Sequence, residues 1–169
     1  MKFELVSIDP KSFGVSKTGL VVTNWQYLVE TAHWLIKDKV NYVGDCWLVK
    51  HTHAKNPNRP SEVTNKFGTT LPYRISFILF NQFLVPNPHC RHLCNNALCI
   101  NPQHLWLGDK IDNELDSRFF REGFEGLAPQ SYKGIWRSDT SVADIGLQLV
   151  SETYYDELYL AVLDYGESI

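Results

Sequence analysis

Fifteen consecutive residues, Cys90-Arg91-His92-Leu93-Cys94-Asn95-Asn96-Ala97-Leu98-Cys99-Ile100-Asn101-Pro102-Gln103-His104, constrain this chain more than any other stretch of it. Cys94, Cys99 and His104 follow one another with four residues between each pair. A loop so spaced can turn three soft or borderline ligands onto one ion. Structural zinc takes four in a tetrahedron, with Zn–S of about 2.3 Å and Zn–N of about 2.0 Å. A lone cysteine is usually a small buried hydrophobe, and a lone histidine a hydrogen-bonded core or surface group. Three such residues in eleven positions, interleaved with the turn formers Asn95-Asn96 and Asn101-Pro102, point instead to a metal. The fourth ligand is Cys46 or Cys90. Cys90 is local but would share the ion with Cys94 across the segment holding His92. Cys46 opens the apolar run Cys-Trp-Leu-Val, can reach the loop from a neighbouring element, and is preferred. A zinc ion would stabilise a loop of low apolar content by on the order of 10 kcal/mol, as in small zinc peptides.

The chain of 169 residues is 44% hydrophobic and 21% charged, enough to bury a core in one domain. No apolar run approaches the roughly 20 residues a membrane helix needs. The start, Met1-Lys2-Phe3-Glu4-Leu5, lacks the basic, apolar and small-residue segments of a secretory signal, so the expectation is an intracellular protein (cytoplasmic, or nuclear in a eukaryote) with reduced cysteines. A net charge of −3 argues, taken whole, against nucleic acid. Divided by region it does not. Residues 46–118 carry eight basic and five acidic side chains, residues 119–169 three basic and nine acidic. All four cysteines and five of six histidines fall in the basic part.

Patterning predicts α+β: a mixed, small antiparallel sheet with helices. Residues 1–8 read as a strand ended by Asp9-Pro10, and residues 24–39 as an amphipathic helix capped by Asn24, with Tyr27, Leu28, Ala32, Leu35 and Ile36 at helical spacing. Residues 46–49 read as a strand, 51–68 as a polar loop, 73–84 as a helix in preference to a strand, and 105–108 as a strand. Asp109 can cap a helix running to about residue 122. Apolar residues from Leu147 to Val162 recur at helical spacing in an acidic background. The expected organisation is an N-terminal packing element (1–45), a metal-bound core (46–122) and an acidic helical extension (123–169). Tyr154, Tyr155, Leu158 and Tyr159 in that extension offer a face for a homodimer.

His-Leu-Cys-x4-Cys-x-Asn-Pro-x-His-Leu, with an asparagine nine residues after the last histidine, resembles the zinc-loop, His-Cys box branch of the HNH (ββα-metal, His-Me finger) endonucleases, many of them homing endonucleases. Cys46-Trp47 and Tyr73-Arg74 look like the upstream part of the same pattern. The resemblance implies a zinc-stabilised ββα-metal motif, with Cys94, Cys99, His104 and Cys46 as structural zinc ligands. It implies His92 as general base, Asn113 as ligand of a catalytic Mg2+ or similar ion, double-stranded DNA as substrate, and products with 5'-phosphate and 3'-hydroxyl ends. The chemistry is consistent with it. Neutral histidine is a competent base near pH 7, and a helix-borne amide oxygen can ligate a hard ion completed by water and phosphate oxygens.

Lys50, Lys55, Arg59, Lys66, Arg74 and Arg91 are the candidate DNA backbone contacts. Asp109, Asp112 and Asp116 read as helix cap and solvated face rather than as ligands. His51 and His53 read as part of a surface loop, and Cys90 has no assigned role. The competing function is a non-catalytic, zinc-stabilised DNA-binding or regulatory module, which would need neither His92 nor Asn113.

Overall fold

A computed structural model describes residues 25–65, 68–81, 89–144, 159–160 and 163–164. The order is α1 (Trp25–Asp38), β1 (Val40–Val43), β2 (Cys46–Val49), β3 (Thr52–His53), β4 (Asn56–Pro60), β5 (Val63–Asn65), β6 (Gly68–Thr70), α2 (Pro72–Asn81), β7 (His89–His92), β8 (Leu105–Gly108) and α3 (Lys110–Arg121). Short 3-10 turns span Pro102–His104 and Val142–Asp144. The class is α+β, as expected, but the strands do not join in one sheet. Among the described residues they form four separate antiparallel pairs, β1-β2, β3-β4, β5-β6 and β7-β8. The strand expected at residues 1–8 and the cap at Asn24 lie outside the described residues. No helix among the described residues is long and apolar enough to cross a membrane.

Helix α1 forms where the spacing of Ala32, Leu35 and Ile36 predicts it, and those three residues are buried. They meet Val40, Val49, Ile75, Leu79, Phe80 and Ile100 in a first core. A second core contains Phe77, Leu93, Leu105, Trp106, Leu107, Ala128 and Ala143. Helix α2 feeds both, Ile75, Leu79 and Phe80 to one and Phe77 to the other, which is why residues 73–84 read as apolar on every side.

Residues 51–68 correct the expectation of a polar loop. Their side chains from His53 to Arg59 are exposed, so no apolar alternation marks the β3-β4 pair. Local polar contacts shape it instead: Asn58 N–H donates to Asn56 Oδ1 at 3.1 Å, and Lys55 N–H to His53 Nδ1 at 3.2 Å.

Beyond α3, Gly123, at φ 86°, takes the left-handed conformation that ends a helix, and residues 124–144 run on as an irregular strap with one 3-10 turn; the apolar positions from Leu147 to Leu158, and Ala161 and Val162, lie outside the described residues. Ala128 N–H donates to Leu93 O at 2.7 Å and Trp106 Nε1 to Ala143 O at 3.1 Å, so residues 128–143 pack into the second core. Of the residues proposed for a dimer face, Tyr154, Tyr155 and Leu158 lie outside the described residues. Tyr159 packs on Trp47 with ring centroids 5.2 Å apart, and its hydroxyl lies 3.1 Å from that of Tyr42.

Candidate metal centre and its neighbours

Antiparallel pairing of His89 with Gly108 through His92 with Leu105 makes β7 and β8 a hairpin whose connection, residues 93–104, carries three of the candidate ligands. Each turn former in it has a task. Asn95 adopts φ 59°, a left-handed conformation asparagine tolerates, as its N–H bonds His92 O at 3.1 Å. Asn96 Oδ1 accepts from Leu98 N–H at 3.0 Å. Asn101 Oδ1 accepts from Gln103 N–H at 3.0 Å and caps the 3-10 turn that presents His104. The loop closes where Leu93 N–H meets His104 O at 2.8 Å.

Cys46 arrives from β2. Ile100 N–H donates to Trp47 O at 2.8 Å, Val49 N–H to Leu98 O at 2.9 Å, and Asn101 Nδ2 to Asp45 O at 2.7 Å. One ligand atom each from Cys46, Cys94, Cys99 and His104 then lies within 4.8 Å of the others, a cluster that could hold a metal ion. His104 Nδ1 stands 3.6 Å from both Cys46 Sγ and Cys99 Sγ. Cys90 is not part of it. The strand alternation turns its thiol into the second core, where burial pushes it up to about 12.

The electrostatics of the cluster favour a cation. A hydrogen bond from Cys99, with a further one from His104, draws the Cys94 thiol down to about 4. The Cys99 thiol is pushed up by that same bond and by burial, and Cys46 is pushed up by burial and by the charge on Cys94. A divalent ion would let all three thiols ionise.

His92, at the end of β7, packs edge-on against Tyr73 of α2 with ring centroids 4.6 Å apart. Its Nε2 is buried and has no hydrogen-bond partner among the described residues. The backbone of Cys99, in the candidate ligand loop, lies beside the ring. Burial lowers its pKa below the ordinary 6.5, so the ring is neutral at pH 7. Asn113 lies exposed on α3, its N–H bonded to Asp109 O at 3.1 Å.

Asp109 is the N-cap, as expected, in a reciprocal capping box with Asp112. Asp112 and Asp116, read from sequence as a solvated face, are 0% and 6% exposed. Arg137 reaches Asp109 at 2.7 and 2.8 Å, Asp112 at 3.1 Å and Asp139 at 2.7 and 2.8 Å. Its guanidinium holds the Asp109 and Asp139 carboxyls below their ordinary 3.8. Depressed carboxylates bind fewer protons in the folded state, so this stabilisation is present above that ordinary value and is lost as the pH falls below it. Melting temperature should therefore drop steeply below about pH 4, the ordinary carboxyl range. An Arg137→Met variant should melt lower at pH 6 yet with a shallower acid slope, as thermal melts at several pH values would show.

Of the candidate DNA contacts, Lys50, Lys55 and Arg59 are exposed along β3-β4 and its approach, in a stretch from residue 50 to 60 without one acidic side chain. Arg74 is half-buried in the first turn of α2, and Lys66 lies outside the described residues. Arg91 is a correction. Its side chain is 0% exposed, and its guanidinium is engaged by Asp116, Pro129 O and Gln130 O, so it cannot reach a DNA backbone. Sequence reasoning missed this pair and the reach of Arg137 to Asp109 and Asp112, because these partners lie 25 to 28 residues apart with no local signal.

Gly108 belongs to the same arrangement. A Cβ there would overlap Arg91 Cδ and stand 2.9 Å from Asp112 Cβ, and the buried Arg91 has nowhere to move. Gly108→Ala should destabilise the protein by about 1–3 kcal/mol through overpacking, measured by denaturant unfolding. His51, read as surface loop, instead donates from Nε2 to Glu62 O at 3.2 Å and meets the Trp34 ring edge-on at 5.9 Å.

In comparisons with known proteins, the chain matches no family model, no curated protein and no solved structure.

Proposed function

We propose that this chain is a metal-dependent DNA endonuclease of the HNH, His-Me finger type, hydrolysing phosphodiester bonds. The observation that carries the reading is the His92 imidazole at the end of β7, beside the candidate metal loop, kept neutral at pH 7 by burial and with an Nε2 that has no hydrogen-bond partner among the described residues. That is the state a general base needs before it takes a proton from water. Strand β7, the ligand loop, β8 and α3 follow one another in the order the resemblance calls for.

Zinc is the structural ion that best suits the cluster. Three sulfurs and one nitrogen are the borderline-soft set it prefers, and bond lengths of 2.3 and 2.0 Å at tetrahedral angles put S and N about 3.5 Å apart. The two measured separations are 3.6 Å. A hard divalent ion such as Mg2+ at Asn113 would neutralise charge on the scissile phosphate. The aspartates beside Asn113 are committed to Arg137 and Arg91, which supports the exposed amide as the ligand from this helix. Lys50, Lys55 and Arg59 supply sequence-independent attraction to phosphate, modest in number and hence strongly reduced by salt.

The test is incubation of the full chain with supercoiled plasmid. Nicked or linear product should form with Mg2+ and not with EDTA, and elemental analysis should find about one zinc per chain. Absence of cleavage with Mg2+ across plasmids and target sequences typical of these enzymes would favour the non-catalytic DNA-binding module.

A further inference from the structure

We propose that the buried Arg91–Asp116 ion pair is a positioning element that sets the spacing between His92 and Asn113, an inference that rests on the nuclease reading above. Arg91 directly precedes His92 on β7, and Asp116 lies one helical turn beyond Asn113 on α3. Arg91 Nε donates to Asp116 Oδ2 at 2.9 Å and Nη2 to Asp116 Oδ1 at 2.6 Å, a bidentate fork that defines both distance and angle between strand and helix.

The rest of the arrangement holds that fork rigid. Arg91 Nη2 also reaches Pro129 O at 2.9 Å and Nη1 reaches Gln130 O at 2.6 Å, so the strap closes over the guanidinium. Tyr132 donates its hydroxyl to Asp116 Oδ1 at 2.8 Å, and its ring lies 5.5 Å from the Arg91 guanidinium carbon. Gly108, lacking a side chain, leaves the room the arginine stem occupies. Adhesion alone needs none of this. An apolar pair of the same volume packs as well or better, because burying two charges is costly. What the fork adds is register, since apolar contacts tolerate sliding where two parallel charged hydrogen bonds do not. A strand that carries the base and a helix that carries the metal ligand gain most from a fixed register, because reacting groups misplaced by about 1 Å lose about a hundredfold in rate.

The experiment is a double-mutant cycle on plasmid cleavage with Mg2+, using the full chain and variants shown by circular dichroism and zinc content to be folded. Arg91→Lys keeps the charge and loses the fork. It should lower kcat about tenfold to a hundredfold with KM for DNA within about twofold. In an Asn113→Ala background the same substitution should change kcat less than about twofold, because the group it places is gone. Should Arg91→Lys not fold, the apolar pair Arg91→Met with Asp116→Leu takes its place under the same criteria. An unchanged kcat, or the same fold-loss in both backgrounds, would overturn the positioning role while leaving the nuclease reading intact. A wild-type protein that does not cleave would overturn both.

Discussion

Cys99→Ala, or stripping the protein with a chelator, is expected to unfold it or lower its melting temperature far more than any surface substitution. Cys99 is 0% exposed, and its thiol faces His104 Nδ1 at 3.6 Å. Residues 93–104 are held by turn contacts and a few apolar anchors, Leu93 and Ile100 among them. Structural zinc contributes on the order of 10 kcal/mol in small zinc peptides, whereas a domain's whole net stability is about 5–15 kcal/mol. The metal term is therefore comparable with the total. Its loss would also loosen both cores, since Ile100 packs in the first and Leu93 in the second. Thermal melts with and without EDTA, read beside metal content, check this. An unchanged melting temperature in demonstrably zinc-free protein would show that the cluster is no structural metal site.

On the proposed nuclease reading, His92→Ala should lower Mg2+-dependent cleavage by about 10²- to 10⁴-fold, the usual contribution of a placed general base. Zinc content and DNA binding should stay at wild-type levels, since His92 is not one of the four clustered residues. The substitution also removes the edge-on contact with Tyr73, so some loss of stability should accompany the loss of activity. Equal cleavage by the folded variant would sink the mechanism. The pairing of the two results is informative: Cys99→Ala should lose fold and activity together, His92→Ala activity with the fold kept.

The ligand loop was the most legible part of the molecule. Cys94, Cys99 and His104 sit close in sequence, and asparagines at 95, 96 and 101 make the turns their residue type favours. The helix begun by Asp109 was legible for the same reason, because a cap and its partner at the third position are local. Cys46 was reachable only by weighing two cysteines; the backbone ties from β2 to Leu98 and Ile100 are what favour it over Cys90. Hairpin β3-β4 was illegible because its exposed side chains carry no alternation.

Charge was legible in number but not in use. Counting basic residues placed Arg91 with the DNA contacts, and counting carboxylates placed Asp112 and Asp116 on a wet helix face. Burial reversed both: the strap folds back over α3 and β7 and brings Arg91 to Asp116 and Arg137 to Asp112, away from solvent. Local spacing and turn chemistry act over a few residues, so the order of residues specified the candidate metal loop and the helix after it. Whether an arginine faces solvent or an aspartate depends on segments 25 residues apart meeting in space, and that follows from how the two cores pack.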